Sequence, residues 1–135
     1  MKARVVWTSG LAFTASQGGH QVPLDATREA GGDDSGSSPK GLLLSGLGGC
    51  TGIDVVSILA KMRVPIEGLE VEVEAGLTEE HPRVFTGIHL RYVFRGKDLP
   101  QEKLEKAITL SMEKYCGVSA MLSKAAPITW ELAVL

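Results

Sequence analysis

Two stretches of alternating apolar and polar positions predict a β-hairpin in the middle of the chain. Residues 69–75 (LEVEVEA) alternate apolar and acidic side chains, and residues 84–96 (VFTGIHLRYVFRG) alternate over a longer run. A period of two places successive side chains on opposite faces of a strand. Residues 78–83 (TEEHPR) separate the two runs as a turn. We therefore expect an antiparallel strand hairpin over 69–96, with one face buried and the other in water.

The N-terminal residues 1–25 predict three further strands. The runs ARVVWT, LAFTA and HQVPLD are rich in β-forming residues and are separated by Ser-Gly and Gly-Gly turn signals. Pro23 in the third run favours an edge position. Residues 26–38 are rich in Gly, Ser and Asp and predict a loop. Loops of this length within compact domains are often functional or mobile.

A long apolar segment, residues 39–62, predicts a central helix. Ser38 is a suitable N-cap, Pro39 suits the first helical position, and Pro65 follows the predicted end. Between residues 41 and 60 the only charge is Asp54, so we expect a helix that is buried on every side. About 20 apolar residues could also cross a bilayer. The central charge, the five glycines and the amphipathic strands on either side favour a core helix.

Four of those glycines fall within seven residues of this helix, namely Gly46, Gly48, Gly49 and Gly52. Each costs about 1 kcal/mol relative to alanine in a helix interior. Such a cost indicates a close approach of other backbones. A chain of 135 residues has little sheet with which to cover a helix all round, and a symmetric homodimer would supply the missing cover. The alternative is a weakened helix with a local kink.

The C-terminal residues 100–135 predict a helix, a short second helix after Gly117, and a last strand. The whole order gives an α+β fold, with antiparallel sheets and a central buried helix, in a single domain over residues 1–135. The 44% of apolar and 22% of charged residues are typical of a globular chain. The net charge of −2 gives no support to nucleic-acid binding. The N-terminus lacks the apolar run of a signal peptide, so we expect a cytoplasmic protein without a membrane segment.

The two cysteines, Cys50 and Cys116, have neither a CxxC spacing nor a zinc-type spacing. A structural disulfide is improbable in a reducing compartment. Two interpretations remain open from the residues: a pair of inert buried thiols or a redox pair. His20, His81 and His89 fall in a loop, a turn and a strand without metal-ligand spacing, and we expect no metal site.

Three segments together resemble the OsmC/Ohr family of osmotically inducible and organic-hydroperoxide-resistance proteins. They are SPKGLLLSGLGGCTGIDVVSILAKM, RVFTGIHLRYVFRG and EKYCGVSAMLSKAAPITWE. The resemblance implies an OsmC-like fold, in which antiparallel sheets wrap around long central helices of an intertwined homodimer. It also implies a cysteine peroxidase of oxidative or osmotic stress defence, with Cys50 as the peroxidatic and Cys116 as the resolving residue.

The chemistry implied by the resemblance needs no bound cofactor. A Cys50 sulfenic acid condenses with Cys116 to a disulfide, and an external thiol or dithiol reduces it. An apolar surround suits organic hydroperoxides, and five residues near the two cysteines are candidates for this pocket: Leu43, Leu47, Ile53, Met121 and Leu122.

The sequence departs from the family where the family activates its cysteine. In the family an arginine from an N-terminal loop does this, held by a glutamate ten residues before the cysteine. Arg28 is the candidate arginine, but Lys40 stands at the glutamate position. Either Lys40 itself activates the thiol, Glu29 orients the arginine, or peroxide reduction is weak or lost. For Asp54 we expect a structural hydrogen bond or a dimer contact. Two functions therefore stay open: the peroxidase, which we favour, and a non-enzymatic OsmC-like dimer that binds an apolar small molecule.

Overall fold

The computed structural model describes all residues from Met1 to Leu135. The chain divides into two compact units, Met1–Leu43 and Leu44–Leu135. The elements in chain order are β1 (Arg4–Ser9), β2 (Ala12–Gln17), β3 (His20–Leu24), α1 (Pro39–Lys61), β4 (Gly68–Leu77), β5 (Phe85–Arg95), α2 (Gln101–Leu110), a π-helical turn (Ser111–Tyr115), α3 (Gly117–Leu122) and β6 (Ile128–Val134). The predicted α+β class is confirmed. The prediction that these elements form a single domain stays a prediction.

The N-terminal unit contains an antiparallel sheet with the strand order β1-β2-β3. Trp7 pairs with Phe13, and Phe13 in turn pairs with Leu24, so these three side chains share one face. Trp7 is 64% exposed within the chain. The sheet therefore has a largely uncovered aromatic and aliphatic surface.

The loop after β3 is ordered around the buried carboxylate of Asp25. One oxygen accepts hydrogen bonds from the backbone N–H of Asp33 (3.2 Å) and from both the N–H and the hydroxyl of Ser35 (3.1 and 2.7 Å). The other oxygen accepts from the N–H of Ala26 at 2.7 Å. These donors, with the Ser35 hydroxyl first among them, hold the pKa of Asp25 below its ordinary value. A side chain at Gly32 would place its Cβ 2.1 Å from the Ala26 carbonyl oxygen, so only glycine fits there.

Helix α1 begins and ends where local signals place its boundaries. The Ser38 hydroxyl accepts a hydrogen bond from the N–H of Gly41 at 3.1 Å, which is the N-cap arrangement. After Lys61 the chain leaves the helix through Arg63, whose φ of 58° is left-handed, and Pro65 follows. The helix was predicted over residues 39–62 and runs over Pro39–Lys61.

The C-terminal unit contains a sheet with the strand order β4-β5-β6. Strands β4 and β5 pair antiparallel, with Val71 opposite Tyr92 and Val73 opposite Leu90. Strand β6 pairs parallel to β5, which corrects the expectation of purely antiparallel sheets. The physical reason is that α2, the π turn and α3 lie between β5 and β6 in the chain. This long connection lets the chain re-enter the sheet in the direction of β5.

One face of this sheet packs on helices. Helix α1 buries a stripe at four-residue intervals, made of Leu47, Thr51, Val55 and Leu59. Helix α2 buries Leu104, Ala107 and Ile108, and β5 buries Ile88, Leu90 and Tyr92. A Cβ at Gly48 would lie 3.1 Å from Cγ2 of Val73, so this glycine allows α1 to approach β4 closely.

The opposite face of the sheet is polar. Arg91 forms ion pairs with Glu72 at 3.2 Å and with Glu131 at 3.4 Å. His89 bonds to the hydroxyl of Thr129 at 2.7 Å. These side chains are partly exposed, as the alternation along both strands predicts.

A single chain does not bury α1 on every side. The residues that face away from the core are Gly46, Gly49, Ile53, Val56 and Ala60. Ile53 is 74% exposed, and no atom lies within 4 Å of a Cβ placed on either of the two glycines. By length and composition α1 is the one helix that could cross a membrane. However, α1 buries one stripe of side chains in the core of the C-terminal unit, as the central helix of a globular unit does.

Candidate active site: a buried pair of thiols

The two cysteines lie together in the C-terminal unit although 65 residues separate them in the chain. Both are free thiols; Cys50 on α1 is half-buried and Cys116 is only 3% exposed. The two sulfur atoms and a carboxylate oxygen of Asp54 all lie within 4.8 Å of one another. The site thus combines two thiols with one carboxyl group.

The π turn sets the position of Cys116. The N–H of Cys116 donates to the carbonyl oxygen of Ser111 at 2.7 Å, a bond that spans five residues instead of four. Cys116 then adopts an extended backbone and forms the N-cap of α3, where its sulfur accepts from the N–H of Ser119 at 3.4 Å. Burial raises the pKa of the Cys116 thiol, the N–H of Ser119 opposes this, and the neighbouring Cys50 thiol adds to it.

A chain of buried hydroxyl groups leads to the carboxylate. Ser111 donates its hydroxyl hydrogen to Oδ2 of Asp54 at 3.0 Å. Thr51 lies 2.8 Å from the Ser111 hydroxyl and 2.8 Å from the Tyr92 hydroxyl. Since the hydrogen of Ser111 is engaged by Asp54, Thr51 donates to Ser111 and accepts from Tyr92. Burial, together with the negative charges of Cys116 and Asp54, raises the pKa of Tyr92 to about 12. The phenol therefore remains a hydrogen donor at neutral pH.

Thr51, Tyr92 and Ser111 were not predicted as site residues. The available signal was a hydroxyl within an apolar helical run, at Thr51 in α1 and at Ser111 after α2. Buried hydroxyl groups require partners, so two of them in core positions indicate a buried network. For Asp54 the expected structural hydrogen bond is present in the bond from Ser111. Its spacing from Cys50 predicts a shared helix face, whereas its closeness to the sulfur of Cys116 was not predicted.

The residues proposed to activate the thiol lie in the N-terminal unit. Arg28 is exposed in the turn after β3, where its carbonyl oxygen accepts from the N–H of Gly31 at 3.1 Å. Glu29 and Lys40 are also exposed. The three ion pairs of the chain involve none of these residues. Their roles stay predictions.

The five predicted pocket residues have different environments. Leu47 is fully buried in the core, and Leu122 is partly buried against it. Leu43, Ile53 and Met121 are each at least half exposed in the single chain. The prediction that they form one pocket stays a prediction. An open groove of about 440 Å³ lies beside this site and is lined by Asp54, Ser57, Ile58, Lys61, Met62, Leu110 and Tyr115.

The chain has an α+β fold with one cysteine on a long apolar helix. A second cysteine lies beside it, at the start of a later helix. These features define a class of dithiol proteins. This chain belongs to the OsmC family, since the family model described as "OsmC-like protein" matches residues 32–131. It is 42% identical to Protein YhfA of Escherichia coli (strain K12) over 136 aligned positions, which cover 100% of this chain and 98% of the relative.

Solved structures share the fold over nearly the whole chain. A hypothetical protein from Aquifex aeolicus is 29% identical with a TM-score of 0.84, and the match covers 99% of this chain and 96% of that one. The organic hydroperoxide resistance protein OhrB of Bacillus subtilis is 21% identical with a TM-score of 0.71, and the match covers 98% of each chain. At this identity the likeness to the Bacillus protein concerns the fold.

Proposed function

We propose that the protein is a thiol-dependent peroxidase that reduces organic hydroperoxides in cytoplasmic stress defence. The observation that carries the proposal is the pair of free sulfurs within 4.8 Å of each other. A disulfide requires a sulfur–sulfur distance of about 2.05 Å, so the two sulfurs must still approach each other when the bond forms. Solved relatives named for organic hydroperoxide resistance lend support through the shared family.

The two thiols differ in a way that suits two roles. Cys50 is the more accessible, and its thiolate attacks the outer peroxide oxygen. The O–O bond breaks, the alkoxide takes up a proton and leaves as the alcohol, and Cys50 becomes a sulfenic acid. Cys116 is buried, and its raised pKa keeps it protonated until that intermediate forms. Its sulfur then attacks Cys50, a disulfide forms and water leaves; an external dithiol restores both thiols by exchange. No bound cofactor takes part.

The activating cation is proposed to be Arg28 or Lys40. A Lys40→Glu variant separates the two, since it restores the acid found at this position in the family. If Arg28 activates the thiol, the variant reduces peroxide faster; if Lys40 does so, it is slower. Arg28→Ala should slow peroxide reduction only if Arg28 is the activating cation.

The proposed enzyme acts as a homodimer. The apolar face of α1 that a single chain leaves exposed is the surface that supports this, with Ile53 at its centre. Light scattering after gel filtration should give twice the chain mass of 14.4 kDa. Ile53→Asp should reduce the mass to that of one chain or prevent folding, whereas Val84→Asp, at an exposed position outside this face, should leave the dimer intact.

Consumption of cumene hydroperoxide with dithiothreitol or a dithiol lipoyl donor tests the activity. Cys50→Ser should abolish turnover. Cys116→Ser should stop turnover after one equivalent and leave a sulfenic acid that dimedone traps. Equal consumption by wild type and Cys50→Ser would reject the peroxidase. A Cys50 alkylation rate that reaches half its maximum at or above about pH 8.5, the ordinary value for cysteine, would also count against it.

The second candidate is a non-enzymatic dimer that binds an apolar small molecule. The burial of Cys116, which raises the pKa of its thiol, favours this alternative. It predicts slow alkylation of both thiols and no effect of Cys50→Ser on peroxide.

A further inference from the structure

We propose that the reduced protein binds one Zn²⁺ ion through the sulfurs of Cys50 and Cys116 and a carboxylate oxygen of Asp54, with a fourth position open to water. The three donor atoms already lie within 4.8 Å of one another. None of the three groups is fully exposed: Cys116 is buried, and Cys50 and Asp54 are half-buried. This inference goes beyond the peroxidase proposal and does not depend on it.

The separation of the donors fits a tetrahedral ion after a small adjustment. Zinc bonds measure about 2.3 Å to sulfur and about 2.0–2.2 Å to oxygen, so neighbouring donors lie roughly 3.5–3.8 Å apart. The donors lie within 4.8 Å of one another here, so each pair needs to close by at most about 1.3 Å when the ion binds. Cys50 and Asp54 are four residues apart on α1 and so share one helix face. Cys116 meets that face from the start of α3.

The carboxylate is held as a metal ligand usually is. Ser111 donates to Oδ2 of Asp54 at 3.0 Å, which fixes the orientation of the group and leaves Oδ1 without a protein donor. Ser111 is in turn held by Thr51, and Thr51 by Tyr92. Outer hydrogen bonds of this kind orient ligands and support metal affinity.

The charge of the site favours a divalent cation. Two thiolates and a carboxylate together carry three negative charges. The ion pairs of the C-terminal unit all lie among side chains of the polar sheet face, and none involves these three groups. Thiolate ligands favour Zn²⁺ over Mg²⁺ and Ca²⁺, and the carboxylate makes the set less suited to Cu⁺ than thiolates alone.

One of the three ligands faces an open groove, because Asp54 lines it together with Ser57 and Lys61. Binding replaces the thiol protons with the metal, so protons are released and affinity rises with pH. A Cys50–Cys116 disulfide has no thiolate to offer. Zinc and peroxide therefore compete for the same reduced state, and a bound ion would protect the thiols and block their oxidation.

The test is a zinc titration of the metal-free, reduced, full-length protein in competition with a chromophoric chelator. We expect one ion per chain, with affinity lowered at least about 100-fold in Cys50→Ser or Cys116→Ser and at least about 10-fold in Asp54→Asn. Asp98→Asn, which changes an exposed acid in a loop, is the matched control and should bind like wild type. The disulfide form should not bind.

Cobalt substitution gives a readout that needs no variant. Co²⁺ added to the reduced wild type should produce a sulfur-to-cobalt charge-transfer band and the intense visible bands of tetrahedral cobalt, both of which Zn²⁺ then removes. Absence of the charge-transfer band, or Asp54→Asn with unchanged zinc affinity, overturns the proposal. Peroxide assays in the presence of a chelator test the enzyme separately. If the zinc-free protein consumes no peroxide while the separate titration shows zinc binding, the peroxidase is rejected and the zinc site stands.

Discussion

Thr51→Val is the sharpest test of the buried network, because it removes a hydroxyl while nearly preserving shape. Thr51 is fully buried, and its hydroxyl lies 2.8 Å from both the Tyr92 and the Ser111 hydroxyls. After the substitution Ser111 still donates to Asp54. The hydroxyl hydrogen of Tyr92 is left without a partner in the core.

The expected loss follows from these two bonds. An unpaired buried donor costs about 1–3 kcal/mol, and the lost bond to Ser111 adds about 0.5–1.5 kcal/mol. The methyl group of valine returns about 0.8 kcal/mol by burial. We expect a net loss of about 0.7–3.7 kcal/mol in the free energy of unfolding, with a central value of about 2 kcal/mol. Tyr92→Phe alone removes the phenol hydroxyl, so no unpaired donor is left in the core. We expect it to lower the free energy of unfolding by about 1 kcal/mol.

Urea unfolding measures both variants and the double variant. All samples need the same protein concentration, because the stability of an oligomer depends on it. The double variant should be about 1–2 kcal/mol more stable than the sum of the single losses predicts, since it contains no orphaned phenol. Thr109→Val, at a half-buried position of α2 outside the network, is the control. A Thr51→Val loss below about 0.5 kcal/mol, or additivity within about 0.5 kcal/mol, would refute the hydrogen-bond chain.

Four further variants test other features. The pKa of Asp25 is lowered in the native protein. Its contribution to stability is therefore present above the unfolded value of about 3.9 and is lost as pH falls through the native value. In urea unfolding from pH 7 to 3, Asp25→Asn should lose less stability than wild type. The pKa of Tyr92 is raised to about 12, so stability should fall as pH rises from about 10 to 12. In thermal melts over this pH range, Tyr92→Phe should lose less stability than wild type. Gly32→Ala forces a clash with a backbone carbonyl and should cost more than about 1 kcal/mol in urea unfolding. Arg91→Ala breaks only half-exposed ion pairs and should cost less than about 1 kcal/mol in the same assay.

Local signals predicted the element boundaries well. The alternation over residues 69–75 and 84–96 corresponds to Gly68–Leu77 and Phe85–Arg95, because a period of two is a property of the strand itself. Ser38 and Pro39 similarly mark the start of α1. The direction of β6 could not be obtained in this way, since alternation is the same in a parallel and an antiparallel strand. It depends on where the chain returns after α3.

The loop over residues 26–38 shows what composition leaves out. Its Gly, Ser and Asp content correctly predicts irregular structure, and the same content is typical of mobile segments. The structure contains instead an ordered turn in which one carboxylate, that of Asp25, collects four hydrogen bonds. The backbone at Gly32 approaches Ala26 and the Asp25 carboxylate closely in this turn, and composition does not predict such an approach.

The position of Asp54 changes what the two cysteines are suited to do. Spacing along α1 places Asp54 on the face of Cys50, but the arrival of Cys116 at that face depends on the five-residue bond of the π turn. Two like charges within 4.8 Å repel by about 0.9 kcal/mol in water and about 3.5 kcal/mol at an effective dielectric constant of 20. A thiolate beside this carboxylate therefore needs a cation. In the proposed peroxidase Arg28 or Lys40 supplies it, and in the proposed zinc form the metal does. Asp54 is thus the acid that would make the proposed peroxide attack dependent on such a cation, and it is also the third ligand of the proposed zinc site.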